Sequence, residues 1–184
     1  MFEDELIQRS KQGDTDSFNA LVEIYQRQVY NLCLRMLGNV HDAEDAAQGT
    51  FISAFRGIGK FRGGNFRAWL FRIAANACRD QMRLMRRRPT TSLDALTFEL
   101  DWDSGAQSPE EYAISRELKA KVMKAIGALP ADQRMAVILR DIMGLEYEEI
   151  AQATASSLGT VKSRLSRARA HLREHLEHDM ELSA

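Results

Sequence analysis

The spacing of the apolar residues is the feature that most restricts how this chain can fold. Along most of the 184 residues the apolar side chains recur at intervals of three and four, which is the period of an amphipathic helix. Only 3 prolines and 11 glycines are present to interrupt such helices. No apolar run approaches the roughly 20 residues that a membrane-spanning helix needs. The sequence therefore predicts an all-α protein without membrane insertion.

Helix boundaries divide the chain into two small helical domains. The first, residues 1–88, is expected to hold three helices, which begin behind an aspartate N-cap at Asp14 or Asp16, near residue 41, and behind a cap at Asn65. Residues 89–108 are polar and acidic without a sustained helical period, which predicts a flexible acidic linker. The second domain, residues 109–184, is expected to contain helices at about 109–127, 131–143, 146–154 and 159–177, the last two forming a helix-turn-helix.

Charge is distributed unevenly along the chain, although the net charge is only −1. Residues 56–88 carry ten basic residues and one acid, whereas residues 89–111 carry six acids and no base. A polyanion responds to the field within about a Debye length, roughly 8 Å at physiological salt, so local charge matters more than the total. The near-neutral sum is therefore compatible with nucleic-acid binding by part of the chain.

The last predicted helix carries a candidate DNA-binding surface. Between Thr160 and Arg173 it has five basic residues and no acid. Small polar and arginine side chains let a helix enter the major groove, about 12 Å wide, with donors for base edges and phosphates. The candidate residues are Thr160, Lys162, Ser163, Ser166 and Arg167, with Thr160 placed to contact a phosphate through its backbone. The alternative is a solvated face of an ordinary antiparallel helix pair.

A second basic surface is expected on the third helix and the loop before it. Its residues are Arg72, Asn76, Arg79 and Arg83, which recur at helical spacing beside the apolar stripe of Trp69 and Ile73, together with Arg62 and Asn65 of the loop. Arginines can hold the phosphates of a single strand, and Asn76 can hydrogen-bond the edge of an unstacked base. Phe71 lies off the apolar stripe, and base stacking and packing against another helix suit its position equally.

The second helix presents an acidic face. Asp42, Asp45, Gln48 and Ile52 are turned outward on it. An acidic face is usually only solvated, but it also suits a protein partner. Gly49 weakens this helix by about 1 kcal/mol relative to alanine without an evident packing benefit.

Three segments together resemble the sigma-70 family of bacterial transcription initiation factors, in its extracytoplasmic-function group. They are DAEDAAQGTFISAF (42–55), FRGGNFRAWLFRIAANACRD (61–80), and LPADQRMAVILRDIMGLEYEEIA (129–151) followed by GTVKSRLSRAR (159–169). The resemblance implies a cytoplasmic two-domain factor that binds RNA polymerase core and directs it to promoters. It implies that the first domain reads and melts the minus-10 element and that the second reads the minus-35 element.

The resemblance also implies roles for individual residues. The positions that would dock the clamp helices of the polymerase's largest subunit are Asp42, Asp45, Gln48 and Ile52. Asn76 would capture a flipped minus-10 base, and the minus-10 surface would also include Arg62, Asn65, Arg72, Arg79 and Arg83. The minus-35 positions would be Lys162, Ser163, Ser166 and Arg167, flanked by Thr160. The expected partners are the clamp helices and flap of the polymerase core, promoter DNA and an anti-sigma factor.

The sequence departs from the family pattern at two places. Gly49 stands where the family usually has glutamate, which removes one expected clamp contact. Thr154, Ala155 and Ser156 replace an apolar residue, a glycine and another apolar residue at the helix-turn-helix corner, which predicts looser packing there.

Other function classes fit the sequence less well. No nucleophile triad, phosphate-binding glycine loop or paired-carboxylate pattern indicates an enzyme. The rival is a helix-turn-helix regulator with an N-terminal sensor or dimerisation domain, which would not need the basic stripe around Asn76. The acidic N-terminus has no signal-peptide pattern, which agrees with a cytoplasmic location.

No metal or cofactor is expected from the cysteines and histidines. Cys33 and Cys78 lie far apart without a CxxC spacing, which argues against a disulfide framework and against a thiolate metal site. The spacing of His171, His175 and His178 can hold zinc, but imidazoles near the carboxyl end of a helix are also favoured by the helix dipole.

Overall fold

The structure, a computed structural model, describes residues 2–87 and 109–181, and within the second range it describes side chains only for 116–177. Eight α-helices and no strand lie in these ranges, which confirms the all-α prediction. The linker predicted at 89–108 lies outside the described residues. No helix in the described ranges is long and apolar enough to cross a membrane.

The N-terminal domain contains four α-helices. They are α1 (Phe2–Lys11), α2 (Thr15–Leu37), α3 (Val40–Gly57) and, after a 3-10 turn at Ile58–Lys60, α4 (Phe66–Arg87). The helix α1 is additional to the three that the sequence predicts. In this domain α2 packs against each of the other three helices, and α3 also packs against α4. The axis of the domain is therefore α2, whose residues Val29, Leu32 and Cys33 are completely buried.

The predicted caps define where these helices begin and end. The carboxylate of Asp14 accepts hydrogen bonds from the backbone N–H groups of Asp16 and Ser17. The Ser17 hydroxyl, followed by the Ser17 backbone N–H, lowers the pKa of Asp14 by hydrogen bonding to it. Gly38 ends α2 in the left-handed region, with φ 81°. Asn65 caps α4 by accepting from the backbone N–H of Ala68 at 2.9 Å.

The C-terminal domain contains the other four helices. They are α5 (Pro109–Ala128), α6 (Ala131–Val137, continued by a π-helical turn at Ile138–Ile142), α7 (Tyr147–Thr154) and α8 (Leu158–Glu181). The helices α5, α6 and α7 all pack against α8. The apolar residues at helical spacing on α8 form its buried face, with Val161, Leu165 and Ala168 at most 2% exposed. A helix-turn-helix, α7 to α8, is thus held against a helical support.

The two domains lie in direct contact, with α4 against α7 and α2 against α5 and α6. Two arginines hydrogen-bond across this contact. Arg67 of α4 donates to the carbonyl of Met143 at 2.7 Å, and Arg134 of α6 donates to the carbonyl of Met36 at 2.8 Å. Desolvation by burial lowers the pKa of Arg134. The domain contact is therefore part of the buried core and not only a meeting of surfaces.

The buried face of α4 includes Phe71, which lies beside the contact between the two domains. Phe71 is completely buried and lies under the Arg67 guanidinium, whose carbon is 5.5 Å from the ring centroid. Trp69 and Ile73, on the predicted apolar stripe, are only partly buried. Of the two interpretations of Phe71, packing is therefore the one that the structure supports.

Candidate nucleic-acid interface

The candidate surface on α8 lies directly after the turn that follows α7. Ser163, Ser166 and Arg167 lie opposite the buried face of the helix, and Thr160 and Lys162 flank them. Lys162, Ser166 and Arg167 are exposed, and Thr160 and Ser163 are half-buried. The structure thus brings all five predicted residues onto one outward side of two helical turns.

The first turn of α8 is closed by its own cap. Ser157 Oγ accepts a hydrogen bond from the backbone N–H of Thr160 at 3.2 Å and lies 2.9 Å from the Thr160 hydroxyl oxygen. The phosphate contact predicted for the Thr160 backbone would therefore have to displace Ser157. The Ser163 hydroxyl donates to the Thr160 carbonyl at 2.9 Å, so its oxygen remains able to accept a hydrogen bond.

Two of the five bases in this segment are paired with acids of α6 and of the π-helical turn that continues it. Arg164 donates to Asp132 at 2.8 Å. Arg169 donates twice to Asp141, at 2.6 and 3.2 Å, and this hydrogen bonding raises the pKa of Arg169. The other three, Lys162, Arg167 and Arg173, form no hydrogen bond or ion pair with any described residue and are exposed. The positive charge available to an anion therefore lies on the outer side of α8.

A shallow cleft of about 440 Å³ opens between α7 and α8. Its lining residues are Tyr147, Lys162, Leu165, Ser166, Arg169, Ala170 and Arg173. The guanidinium of Arg140 lies 5.0 Å from the centroid of the Tyr147 ring and fixes one wall of the cleft. Lys162, Arg173 and a serine around an open depression suit a phosphate group, whereas Arg169 is already engaged by Asp141. Tyr147 and Arg173 were not among the five candidate residues, although Arg173 belongs to the same basic run.

The corner between α7 and α8 is well ordered by hydrogen bonds. The Thr154 hydroxyl, almost buried, donates to the Ile150 carbonyl at 2.7 Å, and its oxygen lies 2.7 Å from Ser156 Oγ. The backbone N–H of Ser156 donates to the Ala151 carbonyl at 3.0 Å. Ala155 adopts φ 50°, in the left-handed region that favours glycine. Hydrogen bonds of the Thr154 and Ser156 side chains thus stand where the family pattern has apolar contacts, and the looser packing expected at this corner stays a prediction.

The candidate surface on α4 and its preceding loop is partly exposed and partly engaged. Arg62, Arg72 and Asn76 are exposed. The Asn76 side-chain oxygen accepts from Arg79 at 3.0 Å, which leaves its amide donors pointing to solvent. Arg83 is paired with Asp80 at 2.6 Å. Asn76 therefore lies among cations on an open helix face, as the sequence predicts.

Two of the predicted α4-side residues contact the C-terminal domain. Asn65 donates through its side-chain nitrogen to Glu149 at 2.5 Å. Arg79 lies 4.0 Å from Asp132, the same carboxylate that accepts from Arg164 of α8. One acid thus bridges the two basic helices. These contacts join residues distant in sequence, and no local pattern could have indicated them.

The acidic face of α3 contains an apolar centre. Asp45 and Gln48 are exposed, and Ile52 and Phe55 retain 46% and 42% of their accessible surface. Exposed apolar side chains next to acids suit a protein partner better than solvent alone. Asp42 is less available, because its carboxylate accepts from the side chains of Asn39 and Gln81.

No cluster of three metal-ligating side chains is found among the described residues. His175 Nδ1 lies 3.0 Å from the His171 carbonyl, and the side chain of His178 is outside the described set. The histidine spacing noted in the sequence is thus described at two of its three positions.

Family models and curated relatives match both domains. The model described as sigma-70 region 2 matches residues 21–88, and the model described as sigma-70, region 4 matches residues 119–172. The RNA polymerase sigma-H factor of Pseudomonas aeruginosa is 39% identical over 171 residues, which cover 90% of this chain and 89% of that protein. The ECF RNA polymerase sigma-E factor of Escherichia coli strain K12 is 41% identical over 170 residues, covering 89% of this chain and 88% of that protein. This chain belongs to the sigma-70 family of transcription initiation factors, in its extracytoplasmic-function group.

Solved structures of related proteins share the fold. CnrH, in complex with the cytosolic domain of CnrY, superposes with a TM-score of 0.72 at 25% identity, covering 97% of this chain and 99% of that chain. The sigma factor RpoE from Bartonella quintana, in complex with the anti-sigma factor NepR, superposes with a TM-score of 0.68 at 28% identity, covering 87% of this chain and 96% of that chain. The match to region 2 over the first domain does not favour a regulator with a sensor domain there.

Proposed function

We propose that this chain binds RNA polymerase core through α3 and directs it to promoters in the cytoplasm, reading the minus-10 element with α4 and the minus-35 element with α8. The observation that carries the proposal is the presence of two basic helical surfaces, one in each sigma-70 region. The domains would then be residues 1–88 and 109–184, joined by a linker at 89–108. The family is a class of transcription factors and not of enzymes, so the chain acts by binding.

The overall test is transcription in a purified system. Polymerase core, this protein and a library of promoter fragments should give run-off transcripts that start at defined sites. Core polymerase alone, on the same fragments, is the control. Transcripts that do not depend on this protein, or no site-specific transcript from any fragment, would refute the proposal.

Binding both elements at once requires the domains to separate. The elements are named for positions about 25 base pairs apart, which corresponds to roughly 85 Å of duplex at 3.4 Å per base pair. In the structure, Arg79 of α4 and Arg164 of α8 share the carboxylate of Asp132. The conformation described here is therefore assigned to the free factor, and the promoter-bound factor has its domains apart.

Asn76 is the residue proposed to capture an unstacked base of the minus-10 element. Its amide donors are free to solvent, and Arg72 and Arg79 lie one turn away on either side to hold the neighbouring phosphates. Asn76→Ala should reduce open-complex formation by about 10- to 100-fold, since a good side-chain contact to a base contributes roughly 1–3 kcal/mol. Asn19→Ala, an exposed asparagine of α2, is the matched control. The assigned role fails if Asn76→Ala weakens binding to core polymerase as much as it weakens melting.

Arg167 is the residue proposed to read a base of the minus-35 element. It is exposed, has no partner among the described residues, and lies opposite the buried face of α8. Arg167→Ala should cost about 1–3 kcal/mol at one promoter position, with little loss on promoters altered at that position. Arg116→Ala removes an exposed arginine from α5 as a control for charge. A loss that is uniform across promoter sequences would assign Arg167 to a phosphate instead.

The apolar centre of the α3 face is proposed to dock on the clamp helices of the polymerase's largest subunit, with Asp45 and Gln48 around it and Asp42 at one end. Ile52→Ala should weaken binding to core by about 1 kcal/mol or more, because Ile52 would lose its burial in the interface. Ile24→Ala is a close control, because Ile24 on α2 is 43% exposed and Ile52 is 46% exposed. If the two variants bind core polymerase with equal affinity, the proposal that α3 contacts the polymerase is refuted.

An anti-sigma factor is proposed as a further partner, and contact with the polymerase flap is assigned to the C-terminal domain. The support for the former is that both structural neighbours named above were solved with a bound chain, described for one of them as an anti-sigma factor. Purification of the tagged chain from its own cells, followed by identification of stoichiometric partners, tests this proposal. A chain recovered only free or with polymerase would count against it.

A further inference from the structure

The two cysteines of the chain meet in the core of the N-terminal domain. Cys33 of α2 and Cys78 of α4 are 45 positions apart in sequence, and their sulfur atoms lie 3.7 Å apart. Both residues are completely buried, and they are the only cysteines in the sequence. Their separation along the chain argued against a disulfide, but the fold brings the two side chains into contact.

The contact has the arrangement that an intramolecular disulfide requires. A disulfide has an S–S distance of about 2.05 Å and needs the two side chains to converge. Here the Cys78 thiol donates toward Cys33 Sγ, so the side chains already point at each other. Closing the remaining gap needs roughly 1.7 Å of relative movement, which side-chain rotation and a small shift of α4 along α2 can share.

We propose that Cys33 and Cys78 form a two-electron redox site, in which an oxidant such as hydrogen peroxide converts the buried dithiol into a disulfide that staples α2 to α4. One sulfur attacks the peroxide, forming a sulfenic acid and releasing water. The second thiol then displaces the hydroxyl of that sulfenic acid, which leaves as a second water while the S–S bond forms. Two thiols lose two electrons and two protons, and one peroxide becomes two waters.

Burial of the two thiols makes their oxidation slow, and the lack of a third cysteine makes the product easy to identify. The hydrogen bond with Cys33 and desolvation by burial both raise the pKa of Cys78, so little thiolate is present near neutral pH. Oxidation therefore follows transient opening of the α2–α4 contact, and the product is protected once the domain closes. No other thiol in the chain competes as a partner, because there is no third cysteine.

The site lies beneath a functional candidate surface. Near Cys78 on α4 are Asn76, which is exposed, and Arg79, which is half-buried and lies 4.0 Å from Asp132. A disulfide between Cys78 and Cys33 would fix the position of α4 along α2. The redox chemistry itself does not depend on the function proposed for this surface.

The test compares the disulfide equilibrium in the folded and unfolded full-length chain. Reduced protein is treated with peroxide to detect disulfide formation, and separate samples are equilibrated with mixtures of reduced and oxidised glutathione in buffer and in urea to obtain the disulfide equilibrium constants. All samples are quenched, alkylated and mapped by mass spectrometry, and urea unfolding curves are recorded for the oxidised and reduced forms. A Cys33→Ser variant controls for oxidation to sulfinic acid and for intermolecular bonds. Circular dichroism shows whether wild-type protein oxidised in urea refolds after the urea is removed. Protein that does not refold is reduced again, and its unfolding curve is then recorded.

The expected result is a monomer that has lost two hydrogens, with one Cys33–Cys78 disulfide, and a higher urea midpoint when oxidised. Two ratios are equal by thermodynamic linkage. The first is the disulfide equilibrium constant of the folded chain divided by that of the unfolded chain. The second is the folding constant of the oxidised chain divided by that of the reduced chain. A ratio above one, of the order of 30- to 700-fold, is expected from the usual effect of disulfides. A ratio of one or less, or a disulfide that forms only in urea or only between chains, overturns the proposal.

Discussion

The contact between the two domains can be weakened at a single residue without touching the proposed DNA contacts. Arg67 of α4 donates to the Met143 carbonyl at 2.7 Å and to Gln28 at 3.2 Å, while its guanidinium covers Phe71. Arg67→Met keeps the aliphatic stem on the Phe71 ring but removes the donors. The substitution therefore separates the polar part of the domain contact from its apolar part.

The size of the effect follows from the one bond that crosses the domain contact. A hydrogen bond from a charged donor contributes about 1.5–3 kcal/mol, and the lower end applies here because Arg67 is only half-buried. The contacts of Arg67 with Phe71 and Gln28 lie within the N-terminal domain and do not change when the domains separate. A loss of about 1.5 kcal/mol corresponds to a roughly 10-fold increase in the ratio of open to closed molecules.

The open fraction can be measured by single-molecule energy transfer in the free protein. Dyes attached through azide-bearing amino acids at Ser53 of α3 and Glu174 of α8, both exposed, leave the native thiols untouched. Arg56→Met, an exposed arginine of the same domain, removes the same charge without breaking a domain contact. If Arg67→Met and Arg56→Met give the same open fraction, the Arg67–Met143 bond does not hold the domains together and the reasoning is wrong.

Three further substitutions test local features of the fold by urea unfolding. Ala155→Gly should raise the free energy of unfolding by about 0.5–1 kcal/mol, because relief of the left-handed backbone outweighs the added entropy of the unfolded chain; a decrease would contradict the backbone conformation at the corner. Gly49→Ala should raise it by up to about 1 kcal/mol, since an added Cβ would meet nothing within 4 Å, and the further change to glutamate should tighten binding to core if α3 docks there. Ser157→Ala should lower it by about 1 kcal/mol, because the Thr160 amide loses its cap; no loss would mean that water replaces the hydroxyl.

Local sequence signals predicted the helices of this protein well. The cap at Asp14 depends on a side chain within a few residues of the helix start, and it is present as predicted. The inner face of α8 likewise follows from spacing alone, because one layer of helices covers it. Such features need no knowledge of the rest of the chain.

Contacts between distant segments escaped the same reasoning. The face of α4 that carries Phe71 is buried beneath Arg67, which also reaches the second domain, whereas the stripe with Trp69 and Ile73 is only partly covered. A helical period identifies one buried face, but it cannot show that a second element covers another. The engagement of Asn65 by Glu149 and the meeting of Cys33 with Cys78 are of the same kind, since each depends on tertiary packing.

The position of Asp132 between Arg79 and Arg164 has a consequence for salt dependence if α4 and α8 bind DNA as proposed. Each phosphate that a protein neutralises contributes close to −0.9 to the slope of log affinity against log salt. A phosphate that bound Arg79 in the closed chain would displace a carboxylate, so fewer counterions would be exchanged overall than contacts are made. The salt slope of the free chain would then undercount its phosphate contacts, and Asp132→Asn should steepen that slope.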